Sequence, residues 1–157
     1  MDKIINCQQK TILKYNLLPT EVIFWEAIAH CRWKTVLRNS LPSIHEKIEE
    51  FSTFETFEDV FKNIKITLQP VNGIGPLSYY DISSAICKYH NIEIKKIYLF
   101  GGGPKRAIRL LNIPKSFDDI LKVYYCERVD VLKVHGTENM TSDDLETSLC
   151  LWQKTIK

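Results

Sequence analysis

At 157 residues, 45% of them apolar and 25% charged, the chain has the size and composition of one folded domain, which excludes a disordered tract and a disulfide-stapled miniprotein. No run approaches the roughly 18 apolar residues that span a bilayer, and no basic segment leading into an apolar stretch opens the chain, so a cytoplasmic protein without membrane contact is expected. The net charge of +2 is small but unevenly placed: Lys88, Lys95, Lys96, Lys105, Arg106, Arg109 and Lys115 face a single acid, Glu93, in the same stretch, an asymmetry of the kind that attracts polyanions.

The predicted elements are mainly helical. Thr20 stands where an N-cap would, ahead of a helix over residues 21–37 that ends before Asn39-Ser-Leu-Pro42, with Trp25, Ile28 and Trp33 read as core. Phe57, Val60, Phe61, Ile64 and Leu68 recur at i, i+3, i+4, i+7 and i+11 behind two alternative caps, Ser52 with Glu55 or Thr56 with Asp59, and predict a strongly amphipathic helix. Segment 92–100 alternates like a strand and equally suits a short buried helix. Ser116-Phe-Asp-Asp119 reads as the acidic start of another helix with Ile120, Val123, Tyr124 and Val131 on its apolar face. Residues 135–139, His-Gly-Thr-Glu-Asn, are the one plausible flexible joint, and the last helix begins near Thr141 with Leu145, Leu149 and Trp152 on one side.

Cys7, Cys31, Cys87, Cys126 and Cys150 are odd in number and widely spaced, so reduced thiols are expected. His30, His45, His90 and His135 are equally scattered; with no close ligand pair, neither a metal nor any other cofactor is predicted.

The most informative stretch is Val71-Asn-Gly-Ile-Gly-Pro-Leu-Ser78, at the end of the 57–68 helix. Gly73 and Gly75 can adopt positive φ and let a ligand approach the backbone, and Pro76 suits the first position of an outgoing helix, where no amide hydrogen is missed. The amides there would sit at the positive end of a helix dipole, a ready anion site. Twenty-eight residues on, Gly101-Gly-Gly-Pro-Lys-Arg-Ala107 repeats the pattern: Gly101 aligns with Gly73, Gly103 with Gly75 and Pro104 with Pro76. The second copy adds Lys105, Arg106 and Arg109 to the outgoing helix. It has Gly102 where the first has Ile74, and Ala107 where the first has the bulky Tyr79.

These residues resemble the helix-hairpin-helix family, in which two helices flank a Gly-x-Gly turn. The resemblance implies an all-α, mainly helical fold: a helix-hairpin-helix core over 57–113, N-terminal helices over 1–56, C-terminal helices over 116–157 and at most one short strand near 94–100, all in a single domain. It implies sequence-non-specific binding to a nucleic-acid phosphate backbone, duplex DNA first, by Gly73, Ile74, Gly75, Leu77 and Ser78 in one hairpin and Gly101, Gly103, Lys105, Arg106 and Arg109 in the other. Neither hairpin supplies the side-chain forks that read base edges.

Two other functions stay open. The hairpin and Arg109-Leu-Leu-Asn-Ile113 also resemble the helix-hairpin-helix DNA glycosylases of DNA repair, but the aspartate those enzymes use would fall in the Gly101–Gly103 cluster and is missing. Asp81 and Lys105 are the nearest substitutes, neither convincing as catalytic, and no other complete catalytic constellation is visible. Helix-hairpin-helix modules also serve as protein-interaction scaffolds, for which the aromatic-rich N-terminal helix would offer a partner or homodimer surface.

Overall fold

A computed structural model describes residues 2–157, with side chains from Gln8 onward, so the Cys7 thiol lies outside the described residues. The chain is mainly helical with one small sheet, and it divides into two compact units, residues 1–92 and 93–157.

In the first unit, helix α1 (Asp2–Tyr15) ends at Asn16, whose φ of 48° takes the backbone out of the helix. The helix expected over 21–37 is broken into three pieces: a 3-10 turn (Pro19–Phe24), α2 (Trp25–His30) and α3 (Lys34–Glu46). Thr20 caps nothing. The chain is turned instead by Glu21, whose carboxylate accepts from the Leu18 amide at 2.8 Å and from the Arg38 guanidinium at 2.7 and 2.8 Å. Nor does the chain stop at Asn39: α3 runs through Pro42. A helix-interior proline costs about 3 kcal/mol, and here burial of Leu37, Leu41 and Ile44 on one face of α3 offsets it. Ile28 is buried as expected, but Trp33 is 53% exposed.

A second 3-10 turn (Ile48–Thr53) leads to α4 (Phe57–Leu68), whose five periodic residues are all buried. Of the two possible caps the second is used: the Thr56 hydroxyl accepts from the Asp59 amide at 3.2 Å and donates to the Asp59 carboxylate at 2.6 Å. The turn 69–75 joins α4 to α5 (Pro76–His90), and the two helices pack through Phe57 and Phe61 against the edges of Tyr80 and Tyr79. Asn91 ends α5 in the left-handed region at φ 56°.

The second unit opens with strand β1 (Lys96–Tyr98), within the segment where a strand or short helix was expected. Helix α6 (Gly102–Leu110) follows. The helix expected from Ser116 is absent: Ser116–Asp118 forms strand β2, and Val123–Glu127 forms β3, the centre of an antiparallel sheet in the order β1-β3-β2. The Ser-x-x-Asp pattern mimics a helix cap. Here, however, Asp118 folds its carboxylate onto the amides of Ile120 and Leu121 at 2.9 and 2.8 Å, Lys122 takes φ 56°, and its amide returns to the Asp118 carbonyl. That closes a hairpin, after which Val-Tyr-Tyr-Cys suits a strand far better than a helix.

A short helix α7 (Arg128–Leu132) and helix α8 (Ser142–Gln153) complete the unit. Thr141 and Asp144 exchange the two hydrogen bonds of a capping box at the start of α8. The intervening 135–139 joint is strapped by Arg128, whose guanidinium donates to the carbonyls of Glu138 and Met140. Sheet and helices enclose a core of Ile97, Leu99, Ala107, Ile108, Cys126, Val131, Leu145 and Leu149, with Trp152 partly buried against it.

Candidate nucleic-acid interface

The two glycine turns are built differently. The first joins helix to helix, from α4 to α5, and Gly73 has the positive φ, 90°, that its sequence suggests. Its close approach, however, is to protein: a Cβ on Gly73 would lie 2.8 Å from Cδ1 of Trp33. The indole lies against the turn with Arg32 over its ring at 5.8 Å. The Ile74 amide donates within the turn to the Val71 carbonyl, and the Ile74 and Ser78 side chains are buried. Tyr79 does not loosen the helix pair. Its hydroxyl donates to the Ile74 carbonyl at 3.1 Å, which ties α5 to the turn, and burial raises its pKa. Of the residues expected to contact a ligand here, Gly75 has open space around it and Leu77 is 40% exposed. Lys88, at the other end of α5, faces Glu26 at 4.0 Å.

The second turn is entered from a strand, so the incoming helix expected for a second hairpin is replaced by β1. None of its three glycines has positive φ. Gly103 is used for packing: a Cβ there would lie 2.6 Å from the Cys150 sulfur, and this lets α6 sit close against α8. Gly101 meets the Pro104 ring at 3.4 Å, whereas Gly102 is open on its Cβ side. The position that departs from the repeat is therefore the accessible one.

Gly102 stands at the rim of a groove of about 490 Å³ lined by Leu99, Lys105, Arg106, Arg109, Lys115 and Tyr124. Four of these carry positive charge and none is a carboxylate. Lys105, Arg106 and Arg109 come from the exposed side of α6, whose opposite side, Pro104, Ala107 and Ile108, is buried. The helix also contributes the unpaired amides and positive dipole end of its first turn. Arg106 additionally donates to the Gln153 side chain at 3.3 Å, which anchors α6 to α8. The Lys115 ammonium sits 4.6 Å from the centre of the Tyr124 ring. The sequence pattern indicates Lys105, Arg106 and Arg109, but Lys115 and Tyr124 join them only because residues 116–127 form a hairpin. The signal for it is the β-favouring run Val-Tyr-Tyr-Cys, obscured by the helix-like Ser-x-x-Asp ahead of it.

Among the described residues no three His, Cys, Asp or Glu side chains converge as metal ligands would, and no helix is long and apolar enough to cross a membrane. One acid–imidazole pair stands out in the first unit. Asp81 of α5, with a side chain only 9% exposed, reaches Nδ1 of His30 at 3.2 Å, while the His30 side chain is 59% exposed.

Residues 30–157 match the model of the amino acid:DNA transferase family, and the chain belongs to that family. No curated protein and no solved structure matches the chain.

Proposed function

We propose that the chain binds DNA by its phosphate backbone, without reading sequence, through the basic groove of the second unit, and that this contact serves the amino acid:DNA transfer for which its family is named. The observation that carries the reading is the convergence of Lys105, Arg106, Arg109 and Lys115 on one groove that no carboxylate lines, along the exposed side of α6. Four cations along one side of a helix suit an array of phosphates, contacts that position a protein on DNA without carrying sequence information. The α4–turn–α5 element, which resembles a helix-hairpin-helix module in its sequence, then serves chiefly as architecture, because Trp33 covers Gly73 and no cation stands on the first turns of α5.

The test is DNA affinity of the full chain by fluorescence anisotropy across a salt series. Lys105→Glu with Arg109→Glu removes two groove cations and leaves the Arg106–Gln153 bond intact. At roughly −0.9 per phosphate contact, the log–log salt slope should flatten by about 2 and the affinity at low salt should fall steeply. Unchanged affinity and slope would sink the reading.

A second reading makes the chain itself the catalyst, favoured by the His30–Asp81 pair together with the family name. A transfer in which the amino acid's amine displaces a leaving group on the DNA breaks the bond to that group and releases a proton from the amine. An exposed imidazole held by a buried carboxylate is suited to accept that proton. On that reading His30→Gln abolishes transfer and leaves DNA affinity unchanged; equal transfer by the variant would exclude it.

A further inference from the structure

The groove is continuous with an aromatic shelf that backbone binding does not use. Phe117 of β2 and Tyr124 of β3 are direct cross-strand partners, with ring centroids 4.9 Å apart and planes at 66°, and each is 45% exposed. Aromatic pairs of this size normally bury their faces. This one instead stands beside the cationic lining, with Tyr124 itself a groove residue and Lys115 over its ring. Exposed rings at the edge of a basic groove are the two elements of a single-strand platform: bases stack on the rings and cations follow the phosphates. In a paired duplex the base faces are covered by their neighbours, so such rings have nothing to stack on.

We infer that the Phe117–Tyr124 shelf is a stacking site for unpaired nucleotides, so that the groove takes single-stranded or locally opened DNA in preference to intact duplex. The inference rests on the groove as the DNA site and names its substrate class. A base laid on Tyr124 takes the place of the Lys115 ammonium, which is then free to meet the adjoining phosphate. Stacking of this kind needs no base-specific hydrogen bond, so the preference is for strand state and not for sequence.

The experiment compares a labelled 12-nucleotide oligo(dT) with a 12-base-pair duplex, titrated with the full chain at one salt concentration. Three variants join the wild type: Phe117→Leu with Tyr124→Leu, Tyr124→Phe, and Lys105→Glu with Arg109→Glu. Leucine keeps an apolar group on each half-exposed position, and circular dichroism checks that the sheet persists. The wild type should bind the single strand more tightly. The double leucine variant should lose about tenfold or more of that affinity, with less than about twofold change on duplex, while Tyr124→Phe keeps the preference. Equal wild-type affinity for both DNAs, or an unchanged single-strand affinity in the double leucine variant, overturns the inference. Its failure is separable from failure of the groove itself: if only the shelf is wrong, the Lys105/Arg109 charge reversal still weakens both DNAs. If the groove is wrong, that reversal weakens neither.

Discussion

The indole of Trp33 lies so close to the backbone of Gly73 that a methyl group on that glycine would meet its Cδ1 at 2.8 Å and its Cγ at 3.0 Å. Gly73 also holds φ at 90°, so two separate constraints keep the position a glycine. Gly73→Ala should therefore lower stability by about 1–3 kcal/mol, read as a drop in thermal midpoint. Adding Trp33→Ala to that chain removes the contact and leaves the backbone strain, so it should recover only part of the loss. Complete recovery, or none, would show that one of the two constraints is not operating.

Gly103 and Cys150 form the corresponding contact in the second unit, where an added Cβ would come within 2.6 Å of the sulfur and 3.4 Å of the Cys150 Cα. Overpacking of this kind typically costs 1–3 kcal/mol. Gly103→Ala is expected to destabilise by about that much, and Cys150→Ala, which takes away the nearest atom, should restore most of it. A double-mutant cycle by urea denaturation measures the coupling directly. Additive effects of the two changes would mean that α6 and α8 do not touch at this point.

These two contacts show where sequence reading reached its limit. A Gly-x-Gly-Pro pattern announces a backbone that something approaches closely, but not whether the neighbour is a phosphate or the chain's own side chain. At Gly73 and Gly103 it is Trp33 and Cys150, both distant in sequence. Elements set by local chemistry were legible: α4 with its buried stripe and Thr56 as one of its two candidate caps, and α8 from its start near Thr141. Segment 92–100 suited a strand and a short buried helix equally until pairing with β3 made it a strand. The errors came from residues with two local uses. Asp118 can cap a helix or close a hairpin, and the tertiary pairing of β3 between β1 and β2 decides for the hairpin. Glu21 looked like the first turn of a long helix until Arg38 claimed its carboxylate. The groove was half legible, since the α6 cations Lys105, Arg106 and Arg109 lie close together in sequence, whereas Lys115 and Tyr124 reach it through the β2–β3 hairpin.

The Glu21–Arg38 pair should set much of the acid sensitivity of the first unit. The Arg38 guanidinium hydrogen-bonded to Glu21 holds its carboxyl below the ordinary value of 4.5, against the opposing effect of burial. A carboxylate whose folded pKa is depressed stabilises the protein above its unfolded pKa, and that contribution is lost as pH falls through the folded value. The wild type should therefore lose stability below about pH 4.5. Glu21→Gln should be less stable at pH 7 by about 2–3 kcal/mol, the range for a hydrogen bond to a charged group with a partner left behind, and should show a flatter acid limb. Arg38 also donates to the Tyr15 and Asn16 carbonyls, so Arg38→Ala should cost more than Glu21→Gln and loosen the end of α1 as well. Parallel acid limbs for wild type and Glu21→Gln, by denaturant unfolding from pH 7 to pH 3, would contradict this assignment.

Gly75 and Gly102 separate the two turns as ligand sites, because each is the position in its turn where a side chain meets open space. Both precede or begin a helix with φ in a region any residue can adopt, and an acid at a helix N-terminus is favourable to the fold. Glutamate at either site should leave stability unchanged or slightly raised. Its effect on DNA affinity should nevertheless differ sharply. Gly102→Glu places a carboxylate at the rim of the groove that holds Lys105, Arg109 and Lys115, where it repels phosphate and competes for the cations; a loss of about tenfold at low salt is expected, shrinking as salt screens the charge. Gly75→Glu lies on the turn behind which Trp33 is packed, with no cation on the following helical turns, and should change affinity less than about twofold. The reverse order of effects would move the DNA contact to the α4–α5 turn and leave the groove of the second unit without that role.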